Sequence, residues 1–140
     1  MRPDWVTEAL ATEPVARLAT TDSRGAVRLV PFCFAVVGDR LVSAVDHKPK
    51  RTTRLARLDD IAATGTATVL LDHYEDDWDR LWWVRVRGAA TVHRDDEPVA
   101  TAARKALADK YSQYRQHPPT GSVYSIQLDE CTWWQAQPAS

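Results

Sequence analysis

Val27-Arg28-Leu29-Val30-Pro31-Phe32-Cys33-Phe34-Ala35-Val36-Val37 runs through Gly38-Asp39 into Arg40-Leu41-Val42-Ser43-Ala44-Val45, and how this stretch is read decides the fold. Both runs are rich in β-branched and aromatic residues, and Gly38-Asp39 is a two-residue signal for a tight antiparallel turn. Upstream, Val15-Ala16-Arg17-Leu18-Ala19-Thr20 is another such run, joined to the first by the turn residues Asp22-Ser23-Arg24-Gly25. Three consecutive antiparallel strands are expected, the middle one spanning Val27 to Val37. In it Arg28, Val30, Phe32, Phe34 and Val36 share one face, and Leu29, Pro31, Cys33 and Ala35 the other. Pro31 has no N–H to give to a ladder, which marks an edge or a local break.

Beyond Val45 the chain turns basic. The stretch Asp46-His47-Lys48-Pro49-Lys50-Arg51-Thr52-Thr53-Arg54-Leu55-Ala56-Arg57-Leu58 holds two of the chain's four lysines beside three of its fourteen arginines. A helix starting near Lys50 to Thr53 would add unpaired backbone N–H groups and a positive dipole end to those cations, which makes a phosphate site. Leu55, Leu58 and Ile61 recur at three-residue spacing, so the same residues also fit a helix docked on a sheet with a solvated basic face. Both readings stay open on spacing alone.

The remaining elements follow the same pattern. Trp5, Val6, Ala9 and Leu10 behind Pro3 predict a short N-terminal helix over Pro3 to Ala11, stopped at Glu13-Pro14, that covers an opening of the sheet. Thr66 to Tyr74 is a further strand, Glu75 to Arg80 an acidic turn, and Leu81 to His93 the longest strand. There Trp82, Val84, Val86, Ala90 and Val92 form the core face. Trp83, Arg85, Arg87, Thr91 and His93 form the other, which suits a subunit interface or the wall of an anionic ligand site. Asp95-Asp96-Glu97-Pro98 opens a helix reaching Tyr111, and Ser122 to Leu128 closes the sheet, with Cys131 to Gln135 as an extension. The expectation is a mainly β (α+β) fold, a small antiparallel barrel of six to seven strands with flanking helices, in a single domain over residues 1–140.

Composition narrows the function. A net charge of −1 argues against a general nucleic-acid binder, which needs an excess of cations. No apolar run has the length of a membrane span or a secretory signal, so a cytoplasmic protein is expected. His47, His73, His93 and His117 are scattered, and Cys33 and Cys131 have no metal-ligand or disulfide spacing, so no metal is expected and both thiols are read as buried and free. No Gly-x-Ser-x-Gly, Walker or Gly-x-Gly-x-x-Gly setting supports hydrolase or kinase chemistry. Tyr74 and His73 are weak candidates for a proton donor.

Three stretches together, Val27-Arg28-Leu29-Val30-Pro31-Phe32, Val42-Ser43-Ala44-Val45-Asp46-His47-Lys48-Pro49-Lys50 and Leu81-Trp82-Trp83-Val84-Arg85-Val86-Arg87-Gly88-Ala89, resemble the FMN-binding split β-barrel superfamily of pyridoxamine-5'-phosphate oxidase. Within it the chain is similar to the branch that uses the deazaflavin coenzyme F420. The resemblance implies a homodimer with cofactor sites at the interface. It implies ring contact for Val30, Pro31 and Phe32, a ring edge at Ser43 and Val45, and phosphate binding by Lys48 and Lys50, with Arg28, Ala44 and Arg51 completing the set. Trp83 and Arg87 would face the partner's site. The groups that grip pyridoxal phosphate are not recognisable in the C-terminal half, so vitamin oxidase activity is not expected. F420 carries a phosphodiester and glutamate carboxylates where FMN carries one phosphate, and the five cations of the basic stretch favour the larger polyanion. The expected function is F420-dependent hydride transfer to a small electron-poor organic substrate. The alternatives are an FMN-dependent oxidase or reductase of the same fold and a non-catalytic flavin-type binder.

Overall fold

The computed structural model describes residues 1–45 and 55–137. Its elements are α1 (Asp4–Thr12), β1 (Ala16–Thr21), β2 (Val27–Phe32), β3 (Ala35–Val37), β4 (Arg40–Ala44), α2 (Ala56–Thr64), β5 (Thr66–His73), β6 (Trp82–His93), α3 (Pro98–Lys110), α4 (Ser112–Gln116), β7 (Val123–Gln127) and β8 (Glu130–Gln135). All pairings are antiparallel, in the order β2-β1-β5-β6-β7-β4-β3, with β8 on β6 beside β7. The fold is the split barrel that the sequence leads one to expect.

The strand expected over Val27 to Val37 is divided. Val27–Phe32 pairs with β1, whereas Ala35–Val37 pairs with β4 at the opposite end of the sheet path. Side chains take up the backbone groups at the break: Ser43 Oγ donates to the Cys33 carbonyl at 2.6 Å, Phe34 N donates to the Tyr111 hydroxyl at 3.1 Å, and Lys110 Nζ donates to the Phe34 carbonyl at 2.8 Å. With those groups satisfied off the ladder, the chain can leave one half of the sheet and enter the other. Only Cys33 and Phe34 separate the two ends, a span of at most about 11 Å from Phe32 to Ala35, so the sheet has to curl round on itself. This division also brings the number of described strands to eight.

The barrel interior is filled by Leu18, Phe34, Leu41, Ile61, Leu71, Val84, Tyr124 and Ile126, all 1% exposed or less. Helix α1 caps it with Val6, Ala9 and Leu10 inward, as its spacing predicts. A second apolar layer lies where Ala100, Ala103 and Leu107 of α3 cover Val42, Ala44 and Val123. The long strand β6 alternates as expected and serves both halves, pairing with β8 through Arg87 and with β7 from Ala90. Gly88 lies between them, where an added Cβ would stand 2.0 Å from the Gln127 carbonyl oxygen. Only glycine lets β6 pass the corner from β7 to β8.

Helix α2 starts later than expected. Its first residue is Ala56, preceded by Leu55 in an extended conformation. The start proposed near Lys50 to Thr53, with Lys48, Lys50, Arg51 and Arg54, lies outside the described residues. No helix among the described residues is long and apolar enough to cross a membrane.

Candidate functional site

The break in the strand opens a cavity. A hollow of about 380 Å³ has Pro31, Phe32 and Cys33 on one wall and Ser43, Ala44 and Val45 on another, with Leu55 and Arg57 from the start of α2 and Tyr114 from α4 completing it. The strand residues are held rigidly. Phe32 is buried and stacks on Tyr124 at 6.4 Å, Ser43 is fixed by its bond to Cys33, and Val45 is clamped through Val45 N to Ser122 O and Gly121 N to Val45 O at 3.0 and 2.9 Å. A Cβ on Gly121 would meet Val45 Cβ at 2.5 Å, so a glycine there lets the wall close.

Arg57 is the fixed cation of this cavity among the described residues. Its Nη1 donates to the hydroxyl of the fully buried Tyr124 at 3.2 Å, which holds the guanidinium at the cavity while leaving further N–H groups for a ligand. It sits in the first turn of α2, whose N-cap Leu55 supplies no side-chain cap. The dipole of α2 adds to its charge, and Asp59 in the same first turn opposes it. A ligand with an apolar planar body and an anionic end fits this distribution of surface.

Of the expected site residues, Pro31, Phe32, Ser43, Ala44 and Val45 come together around the cavity. Val30 packs on the barrel core instead. Arg28 is engaged elsewhere: its Nε donates to Asp60 Oδ2 at 2.9 Å and its Nη2 to Oδ1 at 3.4 Å. Asp60, 3% exposed on α2, also accepts from Thr20 Oγ1 at 2.7 Å. The hydrogen bond from Arg28, with that from Thr20, holds the Asp60 carboxyl below its ordinary value against the opposing effect of burial. Arg28 thus fastens α2 to β2, and through α2 it positions Arg57.

Trp83 and Arg87 lie on the outer face of the sheet, away from the cavity. Trp83 pairs across the ladder with Trp134 of β8, and Arg85 stacks over the Trp83 ring at 5.1 Å. The same face continues through Leu70 of β5 and Arg17 of β1 to Leu29 of β2, and Leu29, Val27 and Trp134 are exposed. The weak proton-donor candidates are also outside the cavity. His73 bonds to Glu75 and stacks on Trp82, and Tyr74 accepts from Trp78 Nε1.

Sequence reading passed over Cys33, Leu55 and Tyr114 in the cavity wall. Their only signal was adjacency to the named strand and helix. Cys33 and Cys131 are free, but both are partly exposed rather than fully buried. Burial pushes the Cys131 thiol up. Ser125, His93 and Glu97 form a hydrogen-bonded chain: His93 Nε2 lies 2.7 Å from Ser125 Oγ and its Nδ1 2.9 Å from Glu97 Oε2. The order is that of a hydrolytic triad, but Ser125 is 2% exposed and lines none of the cavities described here. It anchors the start of α3 to β7.

A family model described as Pyridoxamine 5'-phosphate oxidase matches residues 3–135. No curated protein matches the chain. Among solved structures, a heme binding protein from Mycobacterium smegmatis superposes with a TM-score of 0.73 at 19% identity, over 99% of this chain and 57% of that one. The chain therefore spans little more than half of that relative. A conserved hypothetical protein from Mycobacterium tuberculosis gives 0.75 at 16% identity, over 96% and 85% of the two chains. A FAD-binding protein from Mesorhizobium loti gives 0.68 at 16% identity, over 95% and 92%.

Proposed function

The chain belongs to the pyridoxamine 5'-phosphate oxidase family, and from that premise we propose that it is an oxidoreductase using the deazaflavin coenzyme F420 on a small electron-poor organic substrate. The observation that carries this reading is the cavity between Pro31-Phe32-Cys33 and Ser43-Ala44-Val45, closed at one end by Arg57 and the start of α2. The Pro31, Phe32, Ala44, Val45 and Leu55 side chains in its walls suit a tricyclic ring, and its cationic end suits the phosphate of the same molecule. Lys48, Lys50 and Arg51 adjoin Val45 in the sequence and supply further cations for a polyanionic tail.

Bound and reduced, the deazaflavin supplies hydride from its C5 position. The residues of this chain bind and orient. Phe32, held by Tyr124, and Val45, held by Gly121, set the width of the slot. Ser43 has its hydroxyl turned to the Cys33 carbonyl and so presents no competing proton donor to the ring. Arg57 fixes the anionic end, and the slot between the two strand segments holds ring and acceptor in register.

We assign the outer face of the sheet, with Leu29, Leu70, Trp83 and Trp134, to a homodimer, since scattered arginines around an apolar centre are typical of such contacts. The protein is assigned to the cytoplasm as a single domain.

The FAD- and heme-binding proteins of similar fold set the competing ligands. The test is a tryptophan-fluorescence titration with F420, FMN, FAD and hemin, on wild type and Arg57→Ala. Tight F420 binding that weakens about tenfold or more in Arg57→Ala, the loss of a charge-assisted bond, supports the proposal. Tighter binding of FMN, FAD or hemin than of F420 refutes it. Oxidation of bound, reduced F420 by enones or quinones then separates an enzyme from a binder.

A further inference from the structure

Helix α3 grips both walls of the cofactor cavity without lining it. At its C-terminal end Lys110 Nζ donates to the Phe34 carbonyl at 2.8 Å, at the break that shapes the Pro31-Phe32-Cys33 wall. Earlier in the helix Arg104 reaches toward the other wall: its Nη2 donates to the Gly121 carbonyl at 3.0 Å and to Asp95 Oδ1 at 2.8 Å. Gly121 in turn closes on Val45. The two grips are about 9 Å apart along the helix axis.

Arg104 stands out within its own helix. Ala100, Ala103, Arg104 and Leu107 fall at i, i+3, i+4 and i+7 on α3, and the other three are buried against Val42, Ala44 and Val123. An arginine at the margin of such a stripe lays its stem along the apolar layer and carries its head past the edge, and its side chain is only 25% exposed. There it meets a join that neither strand makes secure. Strand β4 ends at Ala44 and β7 begins at Val123, so the Val45 wall is held beyond both strand ends, by Val45 N to Ser122 O and Gly121 N to Val45 O. Gly121 is buried, its carbonyl needs a donor, and Arg104 supplies one. A single guanidinium nitrogen bridges Gly121 and Asp95, which occupies both of its N–H bonds.

We propose that Arg104 is a positioning residue for the cofactor ring: acting through Gly121, it fixes Val45 and with it the spacing between the two walls of the slot. The inference rests on the cavity being the cofactor slot. Arg104 lines no part of that cavity, and its charge is shared with Asp95. It therefore acts on the width of the slot and not on the anionic end of the ligand, which falls to Arg57. The two arginines divide the cofactor between them, Arg57 answering to its charge and Arg104 to its ring.

The test uses two ligands on the full chain: F420, and its dephosphorylated riboside, which keeps the ring and sugar alcohol but has no phosphate and no glutamate. Arg104→Met keeps the stem and removes the donors. It should weaken both ligands by a similar factor, about fivefold or more, whereas Arg57→Ala should weaken F420 and leave the riboside within about twofold. Arg104→Lys, which keeps the charge and can donate to the same oxygens, should fall between Arg104→Met and wild type. Amide exchange reads the brace without any ligand. In Arg104→Met the Val45 and Gly121 amides should exchange about fivefold faster or more, while those of Ala103 and Leu107 stay as in wild type. Loss of F420 with riboside binding unchanged would make Arg104 a contact for the anionic tail and overturn the proposal. So would no recovery in Arg104→Lys, or a uniform rise in exchange that includes α3 and marks a general loss of stability. If Arg104→Met does not fold, Arg104→Gln is read by the same criteria, and failure of both to fold assigns Arg104 to stability alone and refutes the proposal. If both ligands bind wild type and Arg104→Met equally, the positioning inference alone fails. If wild type binds neither ligand while exchange at Val45 and Gly121 responds as expected, the cofactor reading fails and the brace on Val45 stands.

Discussion

Removing the Asp60 carboxylate is the perturbation that most directly tests why Arg28 sits where it does. In wild type Asp60 is 3% exposed and accepts from Thr20 Oγ1 at 2.7 Å and Arg28 Nε at 2.9 Å. Asp60→Ala leaves the Thr20 hydroxyl, also 3% exposed, without its partner. A buried bond to a charged acceptor contributes about 1.5–3 kcal/mol, so a loss of about 2 kcal/mol is expected from that side alone. The Arg28 side chain is 42% exposed, so its share is smaller and screened by solvent. Asp60→Asn keeps the shape and an acceptor for Thr20 and should cost less than Asp60→Ala. The pH dependence follows from the lowered carboxyl pKa, whose ordinary value is 3.8. Stabilisation by the ionised form is complete above that value and is lost as pH falls through the lower folded-state value. The gap between wild type and Asp60→Asn should therefore be widest near neutral pH and close below about pH 4. Urea unfolding at pH 7 and at several acid values reads both effects. A double-mutant cycle with Arg28→Ala should give a favourable coupling. Arg28→Ala should weaken F420 only as far as α2 loosens. If Asp60→Ala costs less than about 0.5 kcal/mol, or the cycle shows no coupling, the role of Arg28 as a fastener of α2 is wrong.

Three further outcomes are expected. Gly121→Ala forces a Cβ to within 2.5 Å of Val45 Cβ and 2.6 Å of its carbonyl oxygen; it should cost about 1–3 kcal/mol in thermal unfolding and weaken F420 binding, and a neutral result would show that the Val45 wall is not fixed there. Burial lowers the Lys110 pKa from 10.5 to about 8; a base with fewer protons in the folded state gains stability as pH rises, here between about 8 and 10.5, so wild type should gain on Lys110→Met across that window in denaturant midpoints. If the proposed homodimer forms through the exposed outer face, Leu29→Glu there should lower the sedimentation mass toward that of a monomer while leaving far-UV circular dichroism unchanged. An unchanged dimer would remove that face from the interface.

Much of the architecture could be read from local pattern. The alternation of β6, the Gly38-Asp39 turn, the N-terminal cap Val6-Ala9-Leu10 and the closing strand Val123–Gln127 each depend on side-chain periodicity within one element, and periodicity is a local property. Five expected wall residues, Pro31, Phe32, Ser43, Ala44 and Val45, met at one cavity, because neighbours on two strands stay neighbours when the strands flank the same opening. The division of Val27 to Val37 was not legible. An unbroken apolar run looks alike whether it pairs with one strand or changes partners midway, and the change depends on Ser43, Lys110 and Tyr111, the last two some 76 and 77 positions from Phe34.

The sequence by itself determined that the chain is an antiparallel barrel of short strands, that its cations gather after β4, and that its family is that of pyridoxamine 5'-phosphate oxidase. Those properties are written in composition, spacing and motif. Only the tertiary structure decided which arginine serves which purpose: Arg28 is drawn to the buried Asp60 carboxylate and Arg57 to the buried Tyr124 hydroxyl. Arginine has the same reach and charge wherever it stands. Its role is set by which buried acceptor the fold brings within about 3 Å, and that distance exists only once the sheet has closed.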